Sequence, residues 1–62
     1  MDALLIRISD AAALLGVSRA KLYELIGGGK IVTVRIGRAV RVPVSEVERY
    51  AVELLAEARE AA

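Results

Sequence analysis

The 62-residue sequence contains no cysteine and no histidine. Their absence excludes disulfides, zinc sites built on thiolate or imidazole ligands, and catalysis by a cysteine or a histidine-activated nucleophile. A glycine-rich phosphate-binding loop followed by lysine and serine or threonine is also missing. The sequence therefore predicts a protein that is not an enzyme and has no metal, no organic cofactor and no small-molecule substrate.

Long apolar runs are missing as well. The longest covers residues 11–15, whereas a membrane helix needs about 18 apolar residues or more. No basic and apolar leader precedes a cleavage site, so we expect a cytoplasmic protein that does not enter a membrane. Residues 1–62 are expected to form a single domain. Because a chain of this size buries only about 60% of its unfolded surface, we expect marginal stability or help from a partner.

The chain has almost no net charge, but its basic and acidic residues are concentrated in different parts of the sequence. The net charge is +1. Residues 1–45 carry seven basic and three acidic side chains, a net charge of +4, and residues 46–62 carry two basic and five acidic ones, a net charge of −3. One interpretation is ordinary solvating charge. The other is a basic front that faces a polyanion, with an acidic helix behind it.

The first part of the chain predicts a short helix that follows a β-rich run. Residues 4–8 are expected to be a strand or an extended lead-in. Ser9 is predicted to cap a helix over about residues 10–15, and Gly16 is predicted to end it because glycine tolerates the left-handed conformation. The apolar side of this helix is expected to be Ala11, Leu14 and Leu15.

A second short helix is predicted over about residues 19–26, with Ser18 as its N-cap. The residues with inward helical spacing are Leu22, Leu25 and Ile26. The outer surface of the helix is predicted to carry Arg19, Lys21 and Tyr23. Two short helices joined by a tight turn predict a helix-turn-helix whose second helix enters DNA. The three glycines that follow stop this helix and are expected to act as a hinge.

Residues 30–44 alternate between apolar and polar side chains, which predicts a β-hairpin. We expect a three-residue turn over residues 37–39, because a two-residue turn would place a charge on the apolar face. That register pairs Val34 with Val42 and Ile36 with Val40, and it sets Arg35 opposite Arg41 on the outer face, with Arg38 at the tip. Opposed like charges indicate a polyanionic partner; the alternative is an edge protected from aggregation by charge.

Ser45 and Glu48 have the spacing of a capping box, which predicts a third helix over about residues 46–59. Its apolar stripe is expected to pack on the hairpin and the two short helices. The stripe consists of Val47, Tyr50, Ala51, Leu54, Leu55 and Ala58. We expect residues 54–62 to extend beyond the core and contact another protein.

The segment LLGVSRAKLYELI followed by glycine, then VRIGRAVRV and a serine-capped helix, resembles the small winged helix-turn-helix domains of the phage excisionase family. These are related to the DNA-binding domains of MerR-like regulators, and the resemblance covers about residues 5–54. It implies a mainly α fold with a β-hairpin wing. It places the second helix in the major groove of double-stranded DNA and the wing in the adjacent minor groove. The DNA-binding residues it implies are Ser18, Arg19, Lys21, Tyr23, Arg35, Arg38 and Arg41.

The resemblance also implies cooperative self-association on DNA, with bending that directs a recombinase or integrase toward excision or regulates a promoter. A stand-alone transcriptional regulator of the same fold is an alternative that the sequence does not separate from it. A third alternative is a protein-interaction adaptor that works through its C-terminal amphipathic helix. Few side chains of the second helix can make bidentate base contacts, and Arg19 is the best candidate for guanine.

Overall fold

The computed structural model describes residues 3–61, so Met1, Asp2 and Ala62, the last residue of the segment expected to contact a partner, lie outside the described residues. Over residues 3–61 the chain forms three helices and three short strands, and the predicted mainly helical winged helix-turn-helix is confirmed. The elements in chain order are β1 (Leu5–Ile6), α1 (Ile8–Leu15), α2 (Arg19–Gly27), β2 (Val34–Ile36), β3 (Ala39–Pro43) and α3 (Val44–Ala61).

Helix α1 begins two residues earlier than the sequence pattern predicts. Its N-cap position is Arg7, which is extended and makes no side-chain cap, and the Ala11 amide donates to the Arg7 carbonyl at 3.0 Å. The prediction of Ser9 as N-cap is therefore wrong. The reason is that β1 pairs with β3 up to Ile6, so the backbone turns into the helix immediately after the strand.

The end of α1 agrees with the prediction, and so does its inner face at Ala11 and Leu15, but not at Leu14. Gly16 adopts a left-handed φ of 73°, and the Val17 amide donates to the Ala12 carbonyl at 3.0 Å, which satisfies a carbonyl at the helix end. Leu14, however, is 64% exposed, while Ala11 and Ala12 are buried. The helix thus turns its small residues inward, which permits a close approach of α2.

Helix α2 has the predicted cap and the predicted inner face. The Ser18 hydroxyl oxygen accepts a hydrogen bond from the Lys21 amide at 3.1 Å. Leu22 is fully buried, Leu25 is nearly so and Ile26 packs against the same core. The helix packs mainly against α1. The opposite side of the helix, which carries Arg19, Lys21 and Tyr23, is exposed and open to a partner.

The glycines after α2 form a hydrogen-bonded turn. Gly28 occupies the C-cap position and Gly29 has a φ of 75°, and the Lys30 amide returns to the Leu25 carbonyl at 2.9 Å. Directly after this turn, Ile31 is only 1% exposed. The buried side chain of Ile31 therefore attaches the segment between α2 and β2 to the core.

The three strands form one antiparallel sheet in the order β1-β3-β2. β1 pairs Ile6 with Val42, whose side chain is fully buried and carries the sheet's contact with the core. β2 is the outer strand, and its only substantial contact among the described elements is with β3. β2, β3 and the turn between them are called the wing below.

The predicted register of the wing is wrong. Arg35 lies opposite Val40, and Arg41 lies opposite Val34, around a two-residue turn of Gly37 and Arg38. Gly37 has a φ of 61°, and no described non-glycine residue has a positive φ, which identifies a type II′ turn. This turn matches the twist of paired strands. Alternation did not predict the register because β2 is exposed along its whole length, so burial does not select its face.

Helix α3 follows β3 without a loop. Its first amide, on Val44, donates to the Leu4 carbonyl at 2.9 Å. Ser45 lies inside the first turn, so the predicted capping box is wrong. Strand β3 ends at Pro43 and the helix begins at Val44, one residue before Ser45.

Only the first half of α3 covers the core. Val47 is buried and Tyr50 packs beside it, but Leu54 and Leu55 are 42% and 51% exposed. The predicted packing of the stripe on the core is therefore wrong in its second half, whereas the predicted extension of the end of the helix beyond the core is confirmed for residues 54–61. Residues 54–61 are called distal α3. The buried core consists of Ala11, Ala12, Leu22, Leu25, Ile31, Val42 and Val47.

Candidate nucleic-acid interface

The exposed side of α2 carries the four residues that the resemblance assigns to the major groove. They are Ser18, Arg19, Lys21 and Tyr23, and all four are exposed. The Ser18 oxygen is already engaged in the cap, and the Lys21 ammonium lies 3.4 Å from the Glu24 carboxylate. Arg19 forms no salt bridge with any acid in residues 3–61. Arg19 is thus the cation on this helix with the least competition from the protein itself.

The wing carries three arginines, but the structure does not bring them onto one face. Arg38 occupies the turn at the tip. Because directly opposed residues share a face, Arg35 lies on the side of the sheet that carries Val40 and Arg41 lies on the other side. Arg41 is half-buried, and its guanidinium donates to the Val40 carbonyl at 2.9 Å. The arginines therefore point from the tip and from both faces of a thin ribbon.

The wing arginines have no acidic partner among the described residues. The salt bridges there involve Lys21 and Arg49 only. Because Arg35 and Arg41 are not opposed, the expected repulsion across the hairpin is absent. The positive charge of the wing is nevertheless not neutralised by acids, which favours contact with a polyanion. The separation of charge seen in the sequence thus persists in three dimensions, with most of the acids on α3.

One group of interacting residues was not anticipated from the sequence. The Glu46 carboxylate accepts a hydrogen bond from the Val32 amide at 2.9 Å and one from Arg49 Nε at 3.0 Å. The Arg49 guanidinium also donates to the Lys30 carbonyl and lies 2.9 Å from the Glu53 carboxylate. Glu46 and Arg49, with the backbone of Lys30 and Val32, are called the clamp below.

The hydrogen bonds of the clamp shift the pKa of both of its side chains. The hydrogen bond from Arg49, reinforced by the Val32 amide, lowers the pKa of the Glu46 carboxyl below its ordinary value. The hydrogen bond to Glu46 raises the pKa of Arg49. A lowered carboxyl pKa means that the contribution of the clamp is present above the ordinary glutamate pKa and is lost as the pH falls through the lowered value. At neutral pH both groups are charged.

The sequence held a partial signal for the clamp. Glu46, Arg49 and Glu53 have the three- and four-residue spacings of helical ion pairs. The spacing does not reveal the backbone groups of Lys30 and Val32, which approach α3 only in the folded chain.

Within residues 3–61 no group of three potential metal ligands occurs. None of the described helices is long and apolar enough to cross a bilayer.

Comparison with known proteins agrees with the geometry. Residues 5–53 match the sequence profile of the helix-turn-helix domain family, a segment that contains α1, α2, the whole sheet and the first half of α3. The chain is 42% identical over 53 residues to a probable excisionase from Saccharopolyspora erythraea. That similarity covers 86% of this chain and 54% of the relative, so the chain spans about half the length of the curated relative it matches. The chain belongs to the helix-turn-helix domain family and is similar to a probable excisionase.

Proposed function

We propose that this chain binds double-stranded DNA, with α2 in the major groove and the wing at the adjacent minor groove. The observation that carries the proposal is that the arginines of α2 and the wing, all exposed or half-exposed, make no salt bridge within residues 3–61. These are Arg19, Arg35, Arg38 and Arg41. Such charges bind phosphates with little competition from the protein's own acids.

At the major groove, Arg19 is proposed to read a base. An arginine at the first turn of a recognition helix can donate two hydrogen bonds to guanine. Lys21 and Tyr23 are proposed to contact the DNA backbone. Lys21 forms a salt bridge with Glu24, and Tyr23 is 50% exposed. Ser18 is proposed to contribute its hydroxyl proton, because its oxygen serves the helix cap. One base-reading arginine gives a preference for certain sites rather than strict recognition.

At the minor groove, the wing is proposed to enter with Arg38 first. Narrow minor grooves concentrate negative potential and attract arginine. Arg35 and Arg41, which lie on opposite faces of the wing, are proposed to reach the phosphates of opposite strands. The observed register supports this arrangement because a thin ribbon with one arginine on each face can contact both walls of a groove.

The cellular role is proposed to be that of an excisionase-like architectural factor in DNA recombination, supported by the similarity to a probable excisionase. In this role several copies load cooperatively on adjacent sites, bend the DNA and direct a recombinase toward excision. Distal α3, with Leu54 and Leu55 half-exposed, is the proposed contact between neighbours. A transcriptional regulator uses the same contacts on a promoter.

Binding itself is tested by fluorescence anisotropy on a random-sequence duplex at several salt concentrations. With four to six phosphate contacts, log K is expected to fall with log salt with a slope of about −4 to −5. Absence of binding at low salt would reject the proposal and leave the adaptor interpretation, in which distal α3 is the working surface.

The architectural role is tested by energy transfer between dyes at the two ends of a duplex. Cooperative loading predicts a Hill coefficient above 1 and a shortened end-to-end distance. Truncation after Leu55 is expected to leave single-site binding intact and to abolish the cooperativity. Binding without bending or cooperativity would exclude the architectural role and favour a simple regulator.

A further inference from the structure

We propose that Glu46 and Arg49 are positioning residues that hold the wing in the orientation needed for DNA, although neither contacts DNA. This inference rests on the proposed function for its DNA measurements, and it has a second measurement that requires no DNA. It concerns two charged residues on α3 that lie outside the surface proposed to bind.

The segment between α2 and the wing requires contacts that hold it in one conformation. The chain leaves α2 through Gly27, which ends the helix, and through Gly28 and Gly29, which form a hydrogen-bonded turn. Glycine restricts the backbone less than other residues, so this turn alone fixes the direction of the chain weakly. The wing's outer strand β2 has substantial contact only with β3 among the described elements. Strand β3 anchors one side of the wing through its pairing with β1 and its contacts with α1 and α3. The other attachment of β2 is the preceding segment, residues 30–33.

That segment is fastened at three consecutive residues. The Lys30 carbonyl accepts from the Arg49 guanidinium, the Ile31 side chain is buried in the core, and the Val32 amide donates to the Glu46 carboxylate. Two of the three attachments belong to the clamp. Both reach the backbone, so they fix its direction as well as its position.

Two salt bridges hold the side chains of the clamp in place. Arg49 contacts Glu46 on one side and Glu53 on the other, each about one turn away along α3. Charge-assisted hydrogen bonds are stronger and more directional than neutral ones. Helix α3 also continues directly from the end of β3, so the segment before β2 and the end of β3 are both attached to the same helix.

If Glu46 is a positioning residue, its removal changes the DNA affinity in the direction opposite to that expected from charge alone. Removing an acid from a protein should strengthen its binding to DNA, because a repulsive charge is removed. If Glu46 positions the wing, Glu46→Ala weakens binding instead. Glu48→Ala is the matched control, since Glu48 is exposed on the same helix outside distal α3 and the substitution changes charge and helix propensity equally.

Anisotropy titrations of the two variants on one duplex form the first measurement. Couplings through a packed element typically amount to a few-fold up to about 30-fold in affinity, which is the loss expected for Glu46→Ala relative to Glu48→Ala. Each phosphate that a displaced wing no longer reaches should also flatten the salt slope by about 1. Equal affinities and equal slopes for the two variants would overturn the proposal.

A double-mutant cycle with Arg38→Ala separates positioning from general destabilisation. If the clamp acts through the wing, Arg38→Ala costs less affinity in the Glu46→Ala background than in the wild type. A purely structural role leaves the cost of Arg38→Ala unchanged in the folded fraction. Arg49→Lys provides a second variant if Glu46→Ala fails to fold, because it keeps the net charge but cannot bridge both glutamates and the Lys30 carbonyl.

The measurement without DNA is backbone ¹⁵N relaxation. The order parameters of residues 34–41 are expected to fall from about 0.85 toward 0.6 in Glu46→Ala and to stay unchanged in Glu48→Ala. Unchanged order parameters in both variants would overturn the proposal. If the wild type fails to bind DNA, the proposed function is rejected, and the relaxation data still decide whether the clamp orders the wing.

Discussion

Arg35 lies opposite Val40 across the wing, so its side chain and that of Arg41 project from opposite faces of the hairpin. The two-residue turn of Gly37 and Arg38 imposes this arrangement. A register longer by one turn residue would have stacked the two arginines on one face. The wing therefore presents positive charge in three directions, and each arginine can be tested separately.

Arg38→Ala is expected to weaken DNA binding about equally on all sequences and to flatten the salt slope by roughly 1. The reason is that Arg38, at the tip of the wing, is proposed to contact phosphates or the floor of the groove without reading bases. Salt-dependent anisotropy on specific and random duplexes measures both effects. Arg59→Ala is the control, since Arg59 is exposed on distal α3 and the change in charge is the same; an equal effect of the two variants would remove the wing from the binding surface.

Arg35→Ala and Arg41→Ala are expected to have additive effects on DNA affinity, within about 0.5 kcal/mol. Additivity follows because the two side chains lie on opposite faces and share no partner. Anisotropy titrations of both single variants and the double variant give the coupling energy. A coupling well above that limit would mean that the two guanidinium groups meet on one phosphate, as the other register would allow.

Arg19→Ala is expected to reduce the discrimination between a preferred site and random DNA. Removal of one good bidentate base contact corresponds to roughly 1–3 kcal/mol of discrimination. Competition titrations with the two duplexes measure the ratio of affinities. Lys21→Ala serves as comparison, because a backbone contact should weaken both duplexes alike. An equal decrease on both duplexes for Arg19→Ala would make Arg19 a phosphate contact.

Gly37→Ala is expected to destabilise the protein by about 1–2 kcal/mol, because an alanine side chain disfavours the positive φ of 61° at this turn. Gly27→Ala is the control. Gly27 ends α2 with a negative φ, and an added methyl group there meets no atom within 4 Å, so the substitution should stabilise by up to about 1 kcal/mol. Thermal unfolding measures both; equal effects would show that the turn does not require its glycine.

Leu22→Ala is expected to cost about 2–5 kcal/mol, since Leu22 is fully buried between the helices. A small domain has little more stability than this, so the variant should be largely unfolded at physiological temperature. Leu14→Ala should change stability by no more than about 0.5 kcal/mol, because Leu14 is 64% exposed. Circular dichroism melts compare the two variants, and similar costs would contradict the observed orientation of α1.

Local chemistry in the sequence was sufficient for the helix-turn-helix. Ser18 caps α2 and Gly16 ends α1 because both act on backbone groups a few residues away. The spacing of Leu22 and Leu25 likewise reports one face of a single helix. The alternation after residue 30 identified a hairpin, and the arginines within it identified a basic surface.

Contacts between distant segments decided the rest. β1 fixes the start of α1 and excludes Ser9 as its cap, while β3 continues into α3 and places Ser45 inside a turn. Burial selects a register only where a face is covered, and β2 is exposed, so Arg35 and Arg41 could not be assigned to faces from alternation alone.

The clamp shows the same division between local and distant chemistry. It joins Val32 to Glu46, fourteen residues apart, through a backbone amide that carries no sequence signal. Residue types and their spacing were enough to define the elements and the chemistry of their surfaces, because those depend on neighbours along the chain. Tertiary pairing decided the boundaries of the elements and the direction of each arginine, because those depend on strands and helices that meet only in the folded protein.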